Sequence, residues 1–362
     1  MSFRFETYVE TPGMRSRLIQ LILLVMVHSM FGPNAFAWND AGHQTIARIA
    51  WERLSDAERH TISAMLREHP HFDQYLTKSQ PADASVEEWA FLRAATWPDY
   101  VRPPRNLARD EIATHPTHRF HRGPWHYVNF AYRAGQTEST LPANPIVGEG
   151  INATHILEQL ELSMRTLTDH AFDDPGRETE LTAPQNRAVR LCWLFHLIGD
   201  LHQPLHTTTL VDEELFPTGA HSDLGGNMVM IRAHIGGPPY KLHAFWDDRL
   251  GTDSHFPTVR DHAEVLTHDP HHSPNHLPEF SRHRHFRDWA AEGYEIAKTN
   301  VYREGKLEFA KSDDYDRRKV TADAIPVLPV GVEAESNKIA RRRVVLAGYR
   351  LAVRLKQIAN RE

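Results

Sequence analysis

Apolar residues recur at helical spacing along much of the chain. Ile156, Leu160, Met164 and Leu167 fall on one helix face, and Val344, Gly348, Leu351, Leu355 and Ile358 do the same near the C-terminus. Both stripes read as core faces. Asp40 is placed to cap a helix through Ile46, Ile49 and Ala50. Ser55 with Glu58, and Ser85 with Glu88, have capping-box spacing, the second ahead of a helix over residues 89–95. Residues 185–203, lying between Pro184 and Pro204, are apolar around much of a helix circumference and predict a central buried helix. Strand signals are few: residues 227–235, after Gly225-Gly226, predict one arm of a small hairpin, and residues 125–130 a short extended piece. The pattern predicts a mainly α fold with a small β-hairpin. Residues 268–285, rich in His and Pro, predict an exposed loop whose histidines lack regular helical spacing.

The N-terminus carries a processing signal. Met14-Arg15-Ser16-Arg17 is a short basic start, residues 18–31 form an apolar run too short to span a bilayer, and Ala35-Phe36-Ala37 has the small-x-small pattern read by signal peptidase. The expected cut falls between Ala37 and Trp38, so residues 1–37 are a signal peptide, with translation starting at Met1 or Met14, and residues 38–362 the mature domain. The protein is expected to be exported, periplasmic or secreted. The single cysteine, Cys192, allows no internal disulfide and reads as buried apolar filler.

The formal charge of the 362-residue chain is −6, and loss of residues 1–37, with three arginines and two glutamates, makes it one unit more negative. Nothing here resembles the basic stripe that grips nucleic acid through many phosphates. Twenty-five histidines against one cysteine is the unusual feature. His196 and Asp200 lie four apart on the apolar helix, so they share one face, and His206 follows Pro204. His243 and Asp247 repeat that spacing in Lys241-Leu-His-Ala-Phe-Trp-Asp247. Three imidazoles and two carboxylates suit Zn²⁺, which takes nitrogen and oxygen ligands at about 2.0–2.2 Å. One such pair alone is equally a hydrogen-bonded core pair. Three further segments add donors: Trp38-Asn-Asp-Ala-Gly-His43, Trp97-Pro-Asp99-Tyr-Val-Arg102 and Trp125-His126-Tyr127-Val-Asn129.

These segments, with Gly199-Asp-Leu-His-Gln-Pro-Leu-His206, Asp223-Leu-Gly-Gly-Asn227 and Ala347-Gly-Tyr-Arg-Leu-Ala352, occur in the order of one family. Over its whole mature length the chain resembles the trinuclear-zinc single-strand nucleases of the S-one/P-one type, found in fungi, plants and bacteria, which also act as 3′-nucleotidases; the resemblance is to a bacterial-like member. It implies a single-domain helical fold of the phospholipase C and nuclease type, three zinc ions and a monomer. Asp99, His126, His196 and Asp200 would hold one zinc. The Trp38 amino nitrogen and carbonyl, His43 and the shared Asp200 would hold a second, and His206, His243 and Asp247 a third. A terminal amine ligates only when neutral, and its pKa of about 7.7–8.0 makes that accessible. His202 is not a ligand in the family.

The implied reaction is hydrolysis of single-stranded DNA and RNA to 5′-nucleotides by a hydroxide bridging two metals, with Asp99 orienting it and Arg102 neutralising charge on phosphorus. Arg102 is also readable as a structural partner of Asp99. Tyr127 stands where the family stacks a base, and core packing is the other reading. Asn227 either reads a base edge or serves a turn that needs positive φ. Asn129 stands where the fungal and plant enzymes have an acidic residue, and their disulfides are absent. A zinc phospholipase C shares fold and N-terminal Trp, but has a longer Trp-to-His spacing and a final Glu in place of Asp247. A non-catalytic His-rich metal-binding protein would scatter its histidines on exposed loops. The substrates expected are single-stranded nucleic acid or 3′-nucleotides, with no stable membrane insertion after cleavage.

Overall fold

The computed structural model describes residues 38–104, 106–135, 140–146, 154–217 and 221–362. The expected signal peptide therefore lies outside the described residues. The principal helices are α1 (Asp40–Glu52), α2 (Asp56–Arg67), α3 (Val86–Ala94), α4 (Trp97–Tyr100), α5 (Ile156–Thr168), α6 (Ala183–Leu201), α7 (Leu242–Asp247), α8 (Phe256–His268), α9 (Phe286–Ile296) and α10 (Val332–Ala359). The fold is mainly helical, as the periodicity predicts. Among the described residues no helix is long and apolar enough to cross a membrane.

Helix α6 is the axis of the core. Thr182 and Gln185 form a capping box at its start, and residues Leu191 to Leu201 are buried without a break. Helix α5 packs along α6, while α1 lies between α6 and the long α10. The helix ends where Pro204 forces its predecessor out of the helical region: Gln203 has φ −84° and ψ 122°. The chain then makes one 3₁₀ turn, Pro204–His206, and enters a strand.

Two small sheets frame the end of α6. β1 (Phe130–Tyr132) runs parallel to β2 (Thr208–Leu210), with Phe130 opposite Thr208. β3 (Val229–Arg232) pairs antiparallel with β4 (Pro239–Lys241) and β5 (Ala310–Lys311), with Met230 opposite Lys241, so the hairpin expected from residues 227–235 forms. Strand β4 leads directly into α7.

Four local expectations need correction. Asn39, not Asp40, caps α1, its side chain accepting from Gly42 N. Ser85 caps α3, but the reciprocal half of the box is missing because Glu88 is drawn to Arg48. Residues Gly123–His126 form a 3₁₀ turn, and strand β1 begins only at Phe130. Residues 268–285 are a succession of short helical turns, Pro270–His272, Pro274–His276 and Pro278–Arg282, each started by a proline at its first position.

Phe195, fully buried on α6, meets Phe91 of α3 edge-on at 4.6 Å between centroids. Phe195→Ala is expected to destabilise the protein by about 3–5 kcal/mol, a transfer cost plus a cavity. Urea unfolding would measure it, and a loss well under 1 kcal/mol would mean that the α3–α6 contact is not part of the cooperative core.

Candidate metal centre

Three groups of buried side chains able to hold a metal ion occur among the described residues: His43, Asp99 and His196; His126, His196 and Asp200; and His206, His243 and Asp247. Together they contain all eight His and Asp ligands implied by the sequence resemblance. The first two groups share His196. Asp200 adds a second bond between them, since its Oδ1 lies 3.2 Å from His43 Nε2 and its Oδ2 lies 2.9 Å from His126 Nδ1 and 3.3 Å from His196 Nε2. It also reaches toward the third group, with His206 Nδ1 3.9 Å from Oδ2.

Each side chain is aimed by the backbone around it. His196 and Asp200 stand one turn apart on α6. His43, on α1, lies flat on His196 with ring centroids 4.0 Å apart. It does so because position 199 is glycine: a Cβ there would sit 2.7 Å from His43 Nδ1. Trp38, fully buried, anchors the same turn by donating its indole N–H to Gly199 O at 3.1 Å. In the full-length chain the Trp38 backbone nitrogen is an amide.

The β1–β2 region sets His126 beside His206. Val128 N donates to His206 O at 2.8 Å, and His206 Nδ1–H donates to His126 O at 2.6 Å. His243 is held by Nδ1–H donation to Gly225 O at 2.6 Å. That carbonyl is presented by a turn in which Leu224, Gly225 and Gly226 all have positive φ, 52°, 61° and 81°. A Cβ on Gly225 would also meet Leu205 O at 2.5 Å, so only glycine fits.

These bonds fix tautomers. Because carbonyls only accept, His196, His206 and His243 carry their protons on Nδ1, His196 giving its proton to Ala95 O at 2.8 Å. Their Nε2 lone pairs therefore face inward. His206 Nε2 and His243 Nε2 lie 3.1 Å apart. Two lone pairs at that distance repel unless a proton or cation sits between them. Tetrahedral ligation at about 2.05 Å would place two nitrogens roughly 3.3 Å apart. Other buried atoms also lack hydrogen-bond partners among the described residues: Asp99 Oδ2, Asp247 Oδ2, His43 Nδ1 and His126 Nε2, while Asp200 Oδ1 and His43 Nε2 face each other at 3.2 Å without hydrogen-bond geometry. Buried, unpartnered and electron-rich, this set fits divalent cations.

The electrostatics point the same way. Burial works to raise the Asp200 carboxyl, but the charge of His196 and then of His206 holds it well below its usual range. Burial opposes charge on His196, yet Asp200 and Asp99 lift it to about 9. Asp247 is pushed well above its usual range by burial, against a hydrogen bond from Gln203 Nε2 at 2.8 Å. Without a cation, the site would have to retain protons on Asp247 and His196.

The remaining expected residues are placed as follows. Arg102 Nη2 donates to Asp99 Oδ1 at 2.9 Å, so the ion-pair reading of Arg102 holds in the structure. Tyr127 is half-buried. Asn227 does not take positive φ; its Nδ2–H closes the turn on Leu224 O at 2.9 Å. His202 faces away from the cluster, giving its Nδ1–H to Ile198 O and accepting at Nε2 from Arg350 at 2.8 Å. Among the described residues, the His-rich stretch 268–285 contributes to none of the three groups.

Several supporting residues escape sequence reasoning. Gln203 orients Asp247. Asp223, buried and raised to about 6 by burial, accepts from Tyr302 Oη at 2.7 Å, Thr209 Oγ1 at 2.9 Å and Leu210 N at 2.9 Å, tying the glycine turn to β2. His71 Nδ1 accepts from the Trp97 indole at 3.0 Å and holds the turn that carries Asp99. Only Gln203 and Asp223 left a signal, as polar residues inside ordered motifs.

Fold and site together define a mainly helical protein with linked histidine–aspartate groups able to hold metal ions. The S1/P1 nuclease family matches residues 38–360, and the chain belongs to that zinc-dependent family. It is similar to Endonuclease 4 of Arabidopsis thaliana, 27% identical over 246 residues that cover 66% of this chain and 63% of the relative. It is also similar to Endonuclease 3 of the same plant, 25% identical over 229 residues, covering 63% and 60%. The chain thus spans about three fifths of the length of these relatives.

The buried rings have a consequence for acid stability. His43, His69, His126, His202, His206 and His243 are all held below the usual histidine range, burial being the first cause in each. The unfolded chain binds protons on these rings below about pH 6.5, the folded chain only nearer pH 4 for His43 and pH 3 for His243. Their contribution is therefore full above pH 6.5 and is lost as pH falls below it. His196, lifted to about 9, and Asp40, Asp223 and Asp247, whose pKa values are raised, act in the opposite sense and are outnumbered. The urea midpoint of the metal-free protein is expected to drop between pH 7 and pH 5. A flat or rising midpoint would contradict neutral buried rings.

Proposed function

We propose that the chain is an exported zinc-dependent phosphodiesterase that hydrolyses single-stranded DNA and RNA to 5′-nucleotides and also acts as a 3′-nucleotidase. The observation that carries this reading is the Asp200 carboxylate, one oxygen toward His43 and the other toward His126 and His196. A carboxylate so shared suits paired divalent ions, as two-metal hydrolysis of phosphodiesters uses. Membership of the S1/P1 nuclease family supports it.

Asp99, His126, His196 and Asp200 would hold one zinc; His43, Asp200 and the amine and carbonyl of a mature N-terminal Trp38 a second; and His206, His243 and Asp247 a third. Bound zinc supplies positive charge for phosphate and acidifies water at neutral pH. The protein's own groups do the positioning. Asp99 is almost fully buried while the Arg102 side chain is 27% exposed, so Arg102 can keep its carboxylate partner and still offer N–H donors to a phosphate. Charge that builds on the phosphoryl oxygens is neutralised there. Tyr127 offers a ring face to a base without regard to sequence. With Asn227 Nδ2 committed to the turn, base contact falls to Oδ1, an acceptor for exocyclic amino groups.

The family match begins at Trp38, which supports removal of residues 1–37 after Ala37. Export and maturation would then create the terminal amine. Nucleic-acid binding by an acidic chain follows from the same centre, since bound cations replace the missing basic surface.

Protein matured to Trp38 is expected to contain zinc and to cleave single-stranded DNA, RNA and 3′-AMP but not phosphatidylcholine. Absence of metal, or lipid cleavage without nucleotide release, would sink the proposal. Adding one residue before Trp38 should abolish activity while leaving the helical circular dichroism intact; full activity would show that the amine is not a ligand. Arg102→Ala should lower kcat by about 10²–10³ at unchanged zinc content. An unchanged kcat would leave Arg102 only its ion pair with Asp99.

A further inference from the structure

On the outer side of α10 lies a cavity of about 330 Å³ between that helix and residues 280–289. Its lining includes Arg284, Arg350, Arg354 and His283, with Phe280 and Trp289 as apolar walls, and none of the lining residues is a carboxylate. In a chain of net charge −6, such a cationic hollow is the reverse of the average surface. The volume falls in the lower range of small-molecule sites, larger than a bare ion needs.

Arg284 and Arg354 are only partly used, while Arg350 is committed, giving Nη1 to His202 Nε2 and Glu292 Oε2 and Nη2 to Glu279 O and Glu292 Oε1. Arg350 is 2% exposed, and its buried Nε has no partner among the described residues; Arg354 Nε is in the same condition. Arg354 gives Nη1 to Gln357 Oε1 and Nη2 to Arg284 O, and Arg284 gives Nε to Ser281 O. Of the five N–H donors on each of the Arg284 and Arg354 guanidiniums, most remain for a ligand, whereas Arg350 keeps only Nε. The nearby carboxylates are engaged or lie outside the lining. Glu292 accepts from Arg343, Arg350 and His283, and Glu161 acts on Arg354 from a neighbouring helix. Arg350 and Arg354 also lie over the Trp289 ring, at 4.8 and 5.4 Å from its centroid, so cation and aromatic wall form one surface.

The cavity is not a lobe of the metal centre. None of its lining residues is a candidate ligand, and Arg350 joins it to the centre only indirectly, through its bond to His202.

We propose that this cavity binds a small phosphomonoester carrying a planar ring, of the nucleoside 5′-monophosphate type. The forked guanidiniums of Arg284 and Arg354 match a phosphate dianion, and Phe280 matches a ring, with Trp289 backing the Arg354 guanidinium. The choice of a nucleotide rests on the proposed function, whose products are of this class; the cationic and aromatic complementarity does not.

Calorimetric titration of zinc-loaded protein with 5′-AMP, adenosine and inorganic phosphate tests this. Val353, 41% exposed on the cavity wall, allows a charge test that spares the core: Val353→Glu should weaken 5′-AMP binding at this site at least tenfold. The double variant Arg284→Ala/Arg354→Ala should do the same, and both should keep single-strand hydrolysis within twofold of wild type. Asp200→Asn, which disables the metal centre, should leave this class of 5′-AMP sites in place. Adenosine and phosphate should each bind at least tenfold more weakly than 5′-AMP. Binding of 5′-AMP that ignores both cavity variants would overturn the proposal, as would adenosine or phosphate binding as tightly as 5′-AMP. Cavity-dependent binding in a protein without nuclease activity would refute the proposed function and leave this site standing.

Discussion

One fully buried carboxylate, Asp200, organises the molecule. A buried aspartate in the last turn of an apolar helix costs several kcal/mol if its charge stands alone. It is tolerated because α1, the His126 turn and α6 itself each deliver an imidazole to it. Those rings in turn bring their own constraints. His43 can lie flat only over Gly199, His126 stands beside His206 only because β1 and β2 pair in parallel, and His206 enters only because Pro204 ends the helix. Fold and site are therefore one problem, solved around one negative charge.

A second layer of bonds keeps the donors from collapsing onto each other. Main-chain carbonyls of Ala95, His126 and Gly225 take the Nδ1 protons of His196, His206 and His243, which leaves Nε2 to the interior. Behind the last turn of α6, Arg343 donates to His202 O, Arg350 to His202 Nε2, and both close on Glu292. With Cys192 buried and unpaired, no disulfide performs this bracing; buried ion pairs do. Such pairs specify geometry more than they add stability, which is what a turn carrying candidate ligands needs.

Much of this was legible in the sequence, and the limits have physical reasons. The His196/Asp200 and His243/Asp247 pairs are visible because helical spacing is local: i and i+4 share a face whatever the tertiary fold. The buried α6 was visible because its apolar pattern runs around much of the circumference. Where competing bonds are non-local, the reading failed. Glu88 left its capping box for Arg48, forty residues away, and Asn39 displaced Asp40 as a cap by one position. The bracing by Asp223 of the glycine turn through Tyr302, and of Trp97 by His71, depends on partners 79 and 26 residues distant. No spacing rule reaches that far.

The turn at residues 224–226 shows why a motif can be read while its reason is missed. Gly225-Gly226 marks the approach to a hairpin arm, and Asn227 suggests a base contact or a left-handed residue. In the structure Leu224, a branched residue, takes the left-handed conformation at a steric cost, and Asn227 closes the turn instead. That cost is met by Asp223, whose carboxylate accepts from Thr209 and Leu210 and whose other oxygen takes the Tyr302 hydroxyl. The outcome is a single carbonyl, Gly225 O, held where His243 must donate. A strained backbone persists where surrounding bonds over-determine it, and here all of them converge on the orientation of one imidazole, His243, in the third candidate group.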